Sequence, residues 1–222
     1  MKKNITIAVL STVLTACAGG SIGGLLPAPK RVDGQLDGRV YTSPGQVFSV
    51  VAPASEDKGE WRYTQVNEHA EQHPDQRSQF VSFKTPYDHH FYSVEVVQLL
   101  NDSPLNDDTF ALVKNHNLSR IISSTETRWG SKVETLADSK LTCKNKQSYS
   151  YSIYKQHITS YTPNFDKYFL ISQSYQGNTI VVVTSELNFD LRDTPPDEAN
   201  IKNRMYGKHN RLACSVKLGA EM

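Results

Sequence analysis

Two runs of β-branched and aromatic residues, 168–175 and 179–187, flank the tripeptide Gln176-Gly177-Asn178. Glycine and asparagine tolerate the left-handed backbone that a tight reversal requires, so this stretch predicts an antiparallel hairpin. The same pattern recurs along the chain. Val40-Tyr41, the turn Ser43-Pro44-Gly45 and residues 47–51 predict a strand, a turn and a strand ending at Pro53. Residues 60–67 place Trp61, Tyr63 and Gln65 on one face of a further strand, and 80–83 and 91–100 predict two arms around Pro86-Tyr87-Asp88. After Gly130, strands are expected at 132–136 and 141–154, the second carrying Tyr149, Tyr151 and Ile153 in alternation.

The period changes twice. Asp107 or Asp108 is placed to cap a helix whose apolar members are Phe110, Leu112, Val113, Leu118, Ile121 and Ile122. Pro195-Pro196 precedes a second helical segment, 197–209, and residues 211–218 read as its end or as a last strand. The expected fold is α+β: a mostly antiparallel twisted sheet with about two packed helices, forming a single domain over residues 41–222.

The N-terminus follows different rules. Lys2 and Lys3 precede the apolar stretch Ile5–Leu14. That stretch has about half the roughly 20 residues a membrane-spanning helix needs, so residues 1–16 read as a signal peptide. The closing tetrad Leu14-Thr15-Ala16-Cys17 resembles the lipobox of bacterial lipoprotein precursors. The resemblance implies cleavage before Cys17, a diacylglyceryl thioether on its sulfur and an acylated amino group, of the palmitate type. Each buried methylene contributes about 0.8 kcal/mol, so such an anchor is effectively permanent. Ala18, where an inner-membrane lipoprotein would carry Asp, implies sorting to the outer membrane of a Gram-negative envelope. Residues 17–40 contain Gly19, Gly20, Gly23 and Gly24, followed by Pro27 and Pro29, and predict a flexible tether.

The chain carries 24 Lys and Arg against 23 Asp and Glu, and without Lys2 and Lys3 the balance tips slightly to acidic. No basic excess argues for nucleic acid as a partner. With Cys17 lipidated, Cys143 and Cys214 remain, and an even pair in an exported protein predicts a disulfide. Closing a loop of about 70 residues stabilises the fold by roughly 4 kcal/mol at most, through the entropy it removes from the unfolded chain.

Signs of chemistry are sparse. His69 and His73 stand four apart, the spacing that places two imidazoles on one helical face for zinc. Yet the order His69-Ala70-Glu71-Gln72-His73 lacks a metalloprotease base and Pro74 ends any helix, so a polar turn is the plainer reading. His89 and His90 are adjacent and point apart on a strand. Glu68, Glu71 and Asp75 are near one another in sequence but flank a loop. The chain has no Gly-x-Ser-x-Gly elbow, Walker loop or Gly-x-Gly-x-x-Gly fingerprint, and neither a cofactor nor a catalytic residue is expected. Eleven tyrosines, several between 149 and 175, suit either a recognition surface or ordinary sheet packing.

The opening Tyr41-x-Ser43-Pro44-Gly45-x-x-Phe48-Ser49-Val50-x-x-Pro53 resembles the first hairpin of PsbP/Mog-like domains. The resemblance implies a helix near the C-terminus before a final Ser-Phe-type strand, loosely matched by 201–216. It implies a binding or assembly role and transfers no site residue. The expectation is a non-enzymatic binding or envelope-assembly module at the outer membrane, partnered by the membrane through Cys17 and by envelope proteins. The alternative is a lipid-anchored hydrolase or metal-dependent enzyme using histidines in the 69–90 region.

Overall fold

The computed structural model describes residues 34–53, 65–84, 90–100, 104–159, 165–188 and 198–219. The leader, Cys17, Trp61, Tyr63, the Pro86–Asp88 turn, His89 and Pro195-Pro196 lie outside the described residues. Among the described residues, eleven strands form two antiparallel sheets and two α-helices accompany them, an α+β architecture dominated by sheet.

The smaller sheet joins β1 (Gln35–Asp37), β2 (Val40–Thr42), β3 (Phe48–Val51) and β11 (Lys217–Leu218) in that order. The expected strand-turn-strand at 40–51 is present, with a 3₁₀ turn at Pro44–Gln46 and the Phe48 amide donating to Ser43 Oγ at 2.9 Å. The expected tether ran to residue 40, but β1 pairs Gln35 with Thr42 and so belongs to the sheet. Gly38, with φ of 57°, makes the reversal between β1 and β2.

The larger sheet comprises β4 (Gln65–His73), β5 (Gln76–Lys84), β6 (His90–Leu99), β7 (Val133–Thr142), β8 (Ser148–Ile158), β9 (Phe165–Gln176) and β10 (Thr179–Asn188). Its spatial order is β4-β5-β6-β10-β9-β8-β7. The β9–β10 hairpin turns at Gly177, whose φ of 58° only glycine adopts without strain. Strands 132–136 and 141–154 were drawn at the wrong break. β7 runs through to Thr142 and the reversal comes at residues 143–147, where the Lys146 amide donates to the Cys143 carbonyl and the Cys143 amide to that of Gln147.

The central strands are apolar on both faces and must be covered twice. α1 (Asp107–Trp129) covers one face, over Phe169, Ile171, Ile180 and Val182. Its N-cap is Asn106, one residue before the expected Asp107: the Asn106 side chain accepts from the Thr109 amide at 2.9 Å, and Thr109 Oγ1 accepts from the Asn106 amide at 3.0 Å. Asp107 and Asp108 then occupy the first turn, where acidic groups suit the helix dipole. Leu112 is not a core residue; it is 61 % exposed, since it lies about 200° around the helix from Phe110. Asn117 takes the inward position instead and donates to Gln173 Oε1 at 3.4 Å.

On the opposite face, α2 (Glu198–Ser215) and the small sheet close over Val81, Phe83, Tyr92, Val94, Val181 and Val183. Cys143 and Cys214 are disulfide-bonded, as expected from the cysteine count, with Cα atoms 5.4 Å apart. The bridge ties the β7–β8 turn to the last turn of α2. β11 pairs with β3, and behind it Gly219 sits so close to the small sheet that a Cβ there would lie 2.1 Å from the Gln46 carbonyl oxygen.

Because that oxygen belongs to the backbone, Gly219→Ala is expected to lower unfolding stability by about 1–3 kcal/mol. Leu112→Gln is expected to stay within about 0.5 kcal/mol of wild type. Urea melts of the two variants check both.

Candidate functional site

The histidines singled out by spacing are not brought together. His69 and His73 both lie on β4. Four residues along a strand separate their backbones by about 13 Å, whereas one helical turn would separate them by about 6 Å. The ladder sets His69 opposite Phe80 and Phe80 opposite Glu95, five residues along β6 from His90. His116 is exposed on α1 and His157 is exposed beside Asp166, at 2.7 Å. Among the described residues, no three of His, Cys, Asp or Glu are grouped to hold a metal ion.

His209 is different. It sits on the sheet-facing side of α2, fully buried, with Nε2 2.6 Å from Ser172 Oγ on β9 and Nδ1 2.8 Å from Ser185 Oγ on β10. Burial holds the imidazole neutral, its pKa lowered to about 3. A neutral ring has one donor and one acceptor nitrogen, and two hydroxyls satisfy both. Serine and histidine within bonding distance suggest nucleophilic chemistry, but Ser172 and His209 are both 0 % exposed, so no substrate reaches them. The trio docks α2 on the sheet.

The tyrosines are also mostly structural. Tyr149, Tyr151, Tyr154 and Tyr168 are buried in the sheet's two faces, and Tyr149 donates to the Ala213 carbonyl at 2.9 Å. Burial raises its pKa to about 12. The Tyr151 and Tyr206 hydroxyls are hydrogen-bonded to one another.

A groove of about 800 Å³ lies between the first turns of α1, the open end of β8 and β9, and the β7–β8 turn. Lys114 from α1, Lys140 from β7 and Lys146 from the turn line it. Lys114 Nζ donates to Ser150 Oγ at 3.2 Å, and Lys140 stands directly opposite Ser150 in the β7–β8 ladder. Directly opposed residues point to the same face with Cβ atoms about 5 Å apart, so β7 places Lys140 on the face of β8 that Lys114 reaches from α1. The three lysines make no ion pair among the described residues, whereas Lys132, Lys155 and Lys167 each pair with a carboxylate. Asn145, Gln147 and Ser148 add amide and hydroxyl groups. At the helix end, Phe110 packs on Tyr175 with ring centroids 4.7 Å apart, and the Tyr175 hydroxyl donates to Asp107 at 2.7 Å. That bond to a carboxylate raises the Tyr175 pKa.

The lysines were not singled out in the sequence, because they come from three elements. The only local signal is the spacing Lys140, Lys144, Lys146 around the turn.

No protein-family model matches the chain, and no curated protein matches it.

The His209 site has a measurable linkage. The folded pKa is about 3 against 6.5 for the free side chain. The depressed value means that its contribution is intact above pH 6.5 and is lost as pH falls toward 3, at about 1.4 kcal/mol per pH unit. Urea midpoints at pH 7 and pH 5 are expected to diverge more for wild type than for His209→Gln.

Proposed function

We propose that this chain is a lipid-anchored protein of the bacterial envelope, held at the outer membrane through Cys17, whose body is one domain that binds a ligand without transforming it. The observation that carries the reading is the lysine groove with its wall pinned by the Cys143–Cys214 bridge. A disulfide persists in the oxidising space outside the cytoplasm, which supports an exported protein. A concave site with a few convergent polar groups is the usual form of a ligand pocket. The groove's groups suit recognition by charge and hydrogen bonding, while the buried Ser–His contacts serve packing.

The apolar cluster shared by both sheets and α2 supports reading residues 34–219 as one domain. The pairing of β11 with β3 supports the likeness to PsbP/Mog-like domains, from which no residue role is taken. The β1 strand shortens the tether to the residues between Cys17 and Gly34.

Cell fractionation after mild crosslinking tests the reading. Wild type is expected in the outer-membrane fraction with its crosslinked partners, and Cys17→Ser as an uncleaved or unanchored product. Normal processing and membrane retention of Cys17→Ser would overturn the anchor.

A further inference from the structure

We infer that the groove between α1 and the β7–β8 turn is a binding site for an anionic saccharide, a sugar bearing carboxylate or phosphate groups. The inference rests on the binding-module reading only in taking this groove as the ligand site. Its first support is charge. Lys114 donates to Ser150 from α1, Lys140 lies opposite Ser150 in the β7–β8 ladder, and Lys146 lines the groove from the turn. No carboxylate among the described residues pairs with any of them, although the chain as a whole is close to charge balance. Like charges gathered in a concave site create a positive potential that an anion relieves. Asp107, the acidic residue of the lining, sits at the helix end, with its carboxylate accepting from Tyr175. A carboxylate or phosphate fits beside Ser150, where ammonium groups act as point charges and the hydroxyl donates.

The second support is what surrounds the cations. Asn145, Gln147 and Ser148 offer donors and acceptors that match sugar hydroxyls, and the Phe110–Tyr175 pair supplies aromatic surface at one end. Turn geometry does not account for Lys146: its φ of 69° is a left-handed position that glycine or asparagine fills with less strain. Nucleic acid is disfavoured, since it would ask for a basic stripe and the 24 basic residues are matched by 23 acidic ones.

Calorimetry on the full-length lipidated protein in detergent tests this, with trigalacturonate and glucose 6-phosphate as anionic probes and maltotriose as the neutral one. At least one anionic probe is expected to bind saturably, more weakly as salt is raised, and maltotriose not to bind. Lys114→Gln and Lys140→Gln are each expected to weaken binding at least about fivefold, with Lys114→Arg restoring most of it. Lys132→Gln, outside the groove, should leave it unchanged. Bound probe should also protect Lys114 and Lys140 from an amine-reactive reagent. Equal binding of maltotriose, no saturable binding of either anionic probe, or Lys114 and Lys140 dependence seen only with phosphatidylglycerol vesicles would overturn the inference. Such a failure alongside intact Cys17-dependent membrane retention leaves the anchored-module reading standing.

Discussion

Strands β9 and β10 are buried on both faces, and the remaining elements are arranged to meet that demand. Ile180 and Val182 point to one side, Val181 and Val183 to the other, and none is more than 5 % exposed. Each such side chain contributes about 1.5–3 kcal/mol when covered, so leaving either face open to water would cost more than a domain's usual margin. Because β6 sits beside β10 in the middle of the sheet and β7 at its far edge, the chain between them must cross the sheet. α1 is that crossing, and its path over β10, β9 and β8 is also what covers their first face. The chain after β10 returns as α2 to cover the second face and then adds β11 to the small sheet. Connection and cover are the same segments.

Polar groups then fix where each cover sits. Apolar contact alone would let α1 slide along the sheet. Asn117 donates to Gln173, Gln173 donates to the Lys114 carbonyl, and Gln156 donates to the carbonyls of Thr125 and Ser131, so amides bind the helix at both ends of its contact. Beneath its C-terminal half, Lys167 pairs with Glu186 at 2.8 Å, with the lysine side chain only 6 % exposed. A buried pair of this kind adds little net stability but penalises any shift that would separate the charges. On the other face, His209 between Ser172 and Ser185 does the same for α2 without a charge.

Local patterns were legible and positions set by several elements were not. The β9–β10 hairpin was readable because Gly177 marks the reversal and both arms alternate. The 143–147 reversal was missed because it contains no glycine; Lys146 itself takes the left-handed conformation, which no propensity favours. β1 reads as linker in sequence because Gly34 and Gly38 suggest flexibility, whereas Gly38 makes a turn. Leu112 looked like core by type, yet helical geometry turns it outward and admits Asn117. The disulfide was legible in the cysteine count, with Cys143 and Cys214 read as a pair. The groove had no signature, since Lys114 and Lys140 line one groove only when α1 has crossed the sheet and β7 has paired with β8.

The groove's wall therefore depends on contacts far from it. β7 is an edge strand, largely exposed and bulged between Thr135 and Ala137, and cannot by itself hold the turn that follows. That turn carries Lys146 in a strained conformation and would relax if released. Its restraint comes from Cys143, bonded to Cys214, which is fixed because Leu212 and Ala213 are buried against the small sheet and His209 is held by two serines one helical turn earlier. Sheet burial positions α2, α2 positions Cys214, and Cys214 positions the loop that completes the groove. The bridge contributes to global stability by limiting the unfolded chain, but its local effect is distinct: it sets one wall of a site whose other wall, α1, is held by apolar packing on the sheet and by amide hydrogen bonds. Loss of the bridge would thus free one wall of the groove as well as remove a constraint on the unfolded chain.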